Sequence, residues 1–110
     1  MLEKQIEKKV CDHAKNLGYL TYKFNSMNRA AVPDRLFISA TGVMYFIEFK
    51  REGAKPTSAQ CREIKRLHDQ GVSAFVIDNV KSGVWLVDAI ESGFPILQLS
   101  TNDLEKWGIL

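Results

Sequence analysis

Asp34, Glu48 and Lys50 are the residues of this 110-residue chain whose types and spacing could do chemistry. Asp34 directly follows Pro33, at the mouth of a strand, where a carboxylate can stay solvated while its neighbours are buried. Fourteen positions later comes Glu48-Phe49-Lys50, and the two-residue period of a strand sets Glu48 and Lys50 on one face. They end an otherwise apolar run, Met44-Tyr45-Phe46-Ile47, where an ionised side chain costs several kcal/mol unless it is paired or bound to a metal. One resolution is a plain Glu48–Lys50 ion pair emerging at a sheet end. The other adds Asp34: two carboxylates from adjacent strands form a hard-oxygen pocket for Mg²⁺ or Mn²⁺, with the backbone carbonyl of Phe49 as a further ligand. Such a cation would offset the charge of a phosphodiester, lower the pKa of a coordinated water and align its attack. Lys50 would position that water or neutralise charge building on the phosphoryl oxygens. On these residues alone both resolutions stand.

The elements that must position these residues follow from periodicity. Leu2, Ile6, Val10, Ala14 and Leu17 recur every three or four residues and line one face of a helix that Gly18 stops. Tyr19 to Phe24 reads as a strand, Asn25 to Ala31 as a polar loop, and Pro33 as the loop's end. Arg35 to Ser39 is a second strand, Thr41-Gly42 a tight turn, and Val43 to Lys50 a central strand with both faces covered. After a loop from Glu52 to Pro56, Thr57 or Ser58 can cap a helix that runs to Gln70 and ends at Gly71, with Cys61, Ile64, Leu67 and His68 as its core stripe. Ser73 to Ile77 is a further buried strand, joined to the central one through that helix, so a right-handed crossover and parallel pairing are expected. Beyond it the pattern reads as a short strand at Val84 to Val87, a helical turn at Asp88 to Ser92, and a short helix from Thr101 to Trp107 capped by Ser100 or Thr101.

The length suits one domain spanning 1–110, with a core of about 2–78 and a C-terminal extension of about 79–110. The 45% hydrophobic and 25% charged composition is that of a globular chain and excludes a disordered tail or a fibrous repeat. No apolar run approaches the length that spans a bilayer, and the opening Met1-Leu2-Glu3-Lys4-Gln5 is no signal peptide, so a cytoplasmic location is expected, in the host cell if the source is viral. Cys11 and Cys61, with only His13 and His68 beside them, match neither a disulfide framework nor zinc-ligand spacing and read as helix-packing residues. Charge is unevenly distributed. Up to Arg66 the chain holds thirteen Lys or Arg against seven Asp or Glu, a net +6; the remainder holds two against six, a net −4. That asymmetry fits one face turned to a polyanion, and equally fits solvated helix faces.

Val32-Pro33-Asp34-Arg35, then Glu48-Phe49-Lys50, then a helix with Gln60 near its start resembles the PD-(D/E)XK nuclease superfamily, and within it the virus-type replication-repair nuclease group, VRR-NUC. The likeness covers roughly Leu2 to Asp78. It implies an α/β fold with a restriction-endonuclease-like core of helix, three-strand meander, helix and strand, and a divalent-metal-dependent endodeoxyribonuclease. Asp34 and Glu48 would hold Mg²⁺ or Mn²⁺, and Lys50 would be the catalytic lysine. The family's glutamine matches Gln60 at the rim of the site, although Thr57-Ser58-Ala59-Gln60 also fits a helix capping box. Its helix-one glutamate matches Glu3, with Glu7 as the alternative. The family often has a glycine before Val-Pro-Asp, where this chain has Ala31, a departure that bears on the loop alone.

Lys23, Asn25, Arg29, Arg35, Arg51 and Lys55 cluster around the strand ends and loops and are candidate contacts to a DNA backbone, reading phosphate rather than sequence. Recognition by shape is therefore expected, on branched DNA such as a flap, nick or four-way Holliday junction. Standalone members of the group resemble junction resolvases, which implies a homodimer; Trp85, Phe94, Trp107, Ile109 and Leu110 are the candidate dimer surface, or else cover the sheet of a monomer. No membrane and no small-molecule cofactor are expected. The alternatives are a non-catalytic nucleic-acid-binding module on the same fold and a sequence-specific restriction-type nuclease.

Overall fold

Alternation along the central strand divides the protein between two cores. The computed structural model describes residues 1–110, which form α1 (Glu3–Asn16), β1 (Leu20–Lys23), β2 (Arg35–Ile38), β3 (Met44–Phe49), α2 (Ser58–Asp69), β4 (Ala74–Ile77), α3 (Val80–Glu91) and α4 (Ile96–Lys106). The sheet order is β1-β2-β3-β4, with β1, β2 and β3 antiparallel and β4 parallel to β3 across α2. Tyr45, Ile47 and Phe49 join Phe37, Phe75 and Ile77 on one face, where Ile6, Val10 and Ala14 of α1 and Leu86, Val87 and Ile90 of α3 bury them. On the opposite face Ala74 and Val76 pack with Ile64 of α2 and Leu104 of α4, flanked by Phe46, Leu67, Trp107 and Ile109. Helices thus cover both sides of β3 and β4. The β1 and β2 half of the second face is left open, with Leu20, Tyr22, Phe24 and Met44 exposed.

The helix, meander, helix and strand order is the one expected from periodicity, and the α/β class stands. The C-terminal third differs. Val84 to Val87 is not a strand, and Asp88 to Ser92 is not a separate turn: both lie within α3 or at its end. Asn79 caps that helix, its side-chain oxygen accepting the Ser82 N–H at 2.8 Å. Its apolar residues Val80, Leu86, Val87 and Ile90 then fall on the side facing the main core. α3 also needs the small residue at Gly83, because a Cβ there would stand 2.5 Å from Val10 Cγ2 on α1. The final helix begins at Ile96, after Pro95, so Ser100 is inside it rather than its cap and donates to the Leu97 carbonyl at 3.1 Å.

Candidate active site

Asp34 and Glu48 are brought together by register. Arg35 pairs with Ile47, so one further step along the antiparallel β2–β3 ladder sets Asp34 across from Glu48. Asp34 is still held to the end of β1 by the Phe24 N–H, which donates to its carbonyl at 2.7 Å. Its side chain is half exposed, with Lys23 Nζ 3.9 Å from Oδ2. Glu48 is the opposite: 8% exposed on a strand paired with Val76 of β4. Its carboxylate has no cationic partner within 4 Å, so the simple Glu48–Lys50 ion pair is not formed. Burial pushes the Glu48 pKa up to about 7; Lys50 opposes the shift, while the charges of Asp34, Glu3 and Glu7 add to it.

The backbone of β3 contributes a further oxygen. Phe46 and Lys50 donate their N–H groups to Ser73 and Ile77 of β4 at 3.0 and 2.9 Å. Backbone groups of even-numbered residues therefore point to β4, and those of Phe49 point to β2. The register sets Pro33 opposite Phe49, and proline has no N–H to give. The Phe49 carbonyl is thus left without a ladder donor beside the two carboxylates. Two carboxylates and a carbonyl are hard oxygen donors that suit Mg²⁺ or Mn²⁺, and a cation there would relieve the repulsion around Glu48. No three His, Cys, Asp or Glu side chains are gathered into a metal-binding group, so the carbonyl and non-protein oxygens would have to complete the set.

Of the two candidate glutamates of α1, Glu3 is exposed and lines a cleft of about 470 Å³ together with Lys4, Lys50 and Arg51. Glu7 is instead bound to Arg35, 2.5 Å from its Nε, with both side chains largely buried. The loop after β3 is fixed from two sides. Glu52 N–H donates to the Met1 carbonyl at 3.2 Å, and Gly53 N–H donates to Asp78 at 3.2 Å.

No family model matches the chain. Over 77 residues, 70% of this chain and 83% of the other, it is 40% identical to a protein described as "Putative nuclease p44" from Acyrthosiphon pisum secondary endosymbiont phage 1. A solved structure of a VRR_NUC domain superposes with a TM-score of 0.71 at 31% identity, covering 84% of this chain and 97% of that one. The chain belongs to the VRR-NUC nuclease family.

In this VRR-NUC domain the other anticipated residues divide by what already holds them. Gln60 completes the capping box of α2: its Oε1 accepts the Thr57 N–H at 2.9 Å, and its own N–H donates to Thr57 Oγ1 at 3.1 Å. Its side-chain NH₂ remains for another partner. Arg29 donates to Glu63 at 2.6 Å and Arg35 to Glu7, so both arginines serve internal carboxylates. Arg51 and Lys50 face the cleft with Glu3, whereas Asn25 and Lys55 are exposed loop residues. Glu63 was not anticipated. It is 8% exposed, and Arg29 and Arg66 hold its pKa below the usual carboxylate range, tying the loop before Asp34 to α2. Its sequence signal was position alone: Glu63 lies beside Ile64 on the inward stripe, three residues before Arg66.

Proposed function

We propose that this VRR-NUC domain is a divalent-metal-dependent endonuclease that hydrolyses phosphodiester bonds in DNA, selecting branched structures such as four-way junctions. The observation that carries the reading is Glu48, a buried carboxylate left without a cation, across the sheet register from Asp34 and beside the undonated carbonyl of Phe49. Mg²⁺ or Mn²⁺ at these oxygens would supply charge neutralisation and acidification of a water nucleophile. Asp34, the more exposed of the two, can reach the cation from the solvent side, and Glu48 from the sheet. Lys50, on the Glu48 face and anchored through Ile77, offers its ammonium to the phosphoryl oxygens as their charge grows. Glu3 lines a cleft with Lys50 and would orient the attacking water from there. The neighbouring lysines and arginines read phosphate, which favours selection by backbone shape over base sequence. A pure binding module would gain nothing from carboxylates set beside a phosphate.

Cleavage of a four-way junction calls for two sites, and hence a homodimer. The rows Leu20–Ile38–Met44 and Tyr22–Leu36–Phe46 make a contiguous apolar surface on the open half of the sheet. Trp107 and Ile109 pack against the second core, while Trp85, Phe94 and Leu110 remain exposed. Purified protein should nick branched DNA with Mg²⁺ or Mn²⁺ and not with EDTA, and Glu48→Ala or Lys50→Ala should remove the activity while leaving the fold intact. Undiminished cleavage by both variants would refute the site. Light scattering at micromolar concentration should find a species of twice 12.5 kDa; a monomer alone would refute the dimer.

A further inference from the structure

A second concavity runs along α1 beside the Glu3–Lys50 cleft. Its volume is about 370 Å³, and its lining includes Lys4, Lys8 and Lys15 of α1, Lys23 of β1 and the Glu7–Arg35 pair. Lys4 also lines the Glu3–Lys50 cleft, so the two spaces meet at one side chain. At 100° per residue Lys4, Lys8 and Lys15 fall within about 40° of one another on the helix, and they extend along roughly 16 Å of its axis.

Which of these cations are available depends on internal pairing. Glu7 neutralises Arg35 beneath the groove, and Asp12 holds Lys8 at 2.7 Å. Lys4 and Lys15 have no carboxylate within 4 Å, and Lys23 meets only Asp34, at 3.9 Å. The opposite side of the sheet carries another basic hollow, lined by Arg29, Arg62 and Arg66, but Glu63 already engages two of its three guanidinium groups. The α1 groove therefore combines cations that the fold leaves unpaired with a direct link to the site, Lys23 standing 3.9 Å from Asp34; in the arginine hollow Glu63 takes up two of the three guanidinium groups.

We propose that the α1 groove is a phosphate track, in which Lys4, Lys15 and Lys23 grip consecutive backbone phosphates of the DNA strand leaving the Asp34–Glu48 site. The inference rests on the nuclease reading for the identity of its ligand. It makes α1 part of the substrate surface, with Lys23 beside Asp34 at one end of the track and Lys4 joining the track to the Glu3–Lys50 cleft. Lysine ammonium groups on flexible stems suit this task, since they follow a backbone without demanding a base sequence.

The test is binding of labelled single-stranded and duplex DNA in EDTA, where no cleavage occurs. Lys4→Ala/Lys15→Ala is compared with the charge-matched Arg62→Ala/Arg66→Ala. Both lysines are exposed on a helix, where alanine is well tolerated, and an unchanged melting curve checks the fold. The lysine variant should bind about ten-fold more weakly, and its log Kd against log salt slope should fall by about 1.4 on single strands or 1.8 on duplex. The arginine variant should lose less than about two-fold by the same electrostatic argument. Equal losses in the two variants, a larger loss in the arginine variant, or no binding by the wild type at low salt would each overturn the track. Lysine-dependent binding without any cleavage in Mg²⁺ or Mn²⁺ would uphold the track and remove the chemistry proposed for the site.

Discussion

Two carboxylates flank Val76 of β4, and the fold treats them differently. Glu48 stands across from Val76 on β3, while Asp103 reaches in from α4 and accepts the Val76 N–H at 2.9 Å. The carbonyls of Ser73 and Ile77 are used by β3, so the N–H of Val76 faces the outer edge of the sheet, and Asp103 closes that edge. Burial pushes the Asp103 pKa up to about 6, opposed by the Val76 hydrogen bond and Lys106; burial pushes Glu48 up to about 7, opposed by Lys50 and reinforced by three other carboxylates. Asp103 has its partner within the fold. Glu48 has only like charges and a lysine beyond pairing distance, the environment in which the proposed cation would be stabilising.

The largest expected effect separates the two residues by activity. Glu48→Gln removes the charged oxygen proposed to hold the metal without removing bulk and should lower kcat by roughly 10³-fold, in the range for loss of one preorganised electrostatic group. Asp103→Asn should stay within about three-fold of wild type, because its carboxylate is engaged by the Val76 N–H at the outer edge of β4, on the side away from β3. Single-turnover cleavage of the two proteins at saturating Mg²⁺ decides the matter. Comparable losses in both would mean that the contrast between structural and catalytic carboxylate is wrong.

The residues that form this contrast were unequally visible in the sequence. The nearness of Asp34, Glu48 and Lys50 depends on strand period and one step of register, which alternation and the Thr41-Gly42 turn prescribe. The capping box of Thr57 and Gln60 was equally local. The partners of Arg35 and Arg29 were not, because Glu7 and Glu63 lie 28 and 34 positions away and meet them only after the elements pack. α3 is ambiguous in the sequence for a related reason. Val84 to Val87 is an unbroken set of bulky apolar residues, compatible with a strand or a helix; the choice is made by the Asn79 cap and by the close approach of Gly83 to Val10 on α1. The role of Asp103 was invisible for the same cause, since its partner is a backbone N–H 27 positions earlier.

The second effect concerns stability and pH. Glu48 has a folded pKa of about 7 against an ordinary 4.5, so the folded state favours its proton. The stabilisation this gives is fully present below pH 4.5 and is lost as pH rises through 7. Glu48→Gln keeps a neutral side chain at every pH, and should exceed wild type in unfolding free energy by up to about 3 kcal/mol at pH 8. The two should converge at pH 4. Denaturant titrations across this range check the prediction, and a pH-independent difference would show that Glu48 is not held in its uncharged form by the fold.

The smallest effect tests whether Asp103 is structural in the way its hydrogen bond implies. Asp103→Ala deprives the Val76 N–H of its acceptor and should cost about 1–2 kcal/mol, seen as a drop of several degrees in Tm. Asp103→Asn can still accept that N–H through its amide oxygen, without a charge to bury, and should recover most of the loss. Adding Mg²⁺ at pH 8 extends the comparison, because a ligand that binds only the folded state raises Tm. The rise should be the same in wild type and in both Asp103 variants, and absent in Glu48→Gln. A rise that disappears with Asp103→Asn would place the cation at the sheet edge instead of the cleft, and exchange the roles assigned to the two carboxylates around Val76.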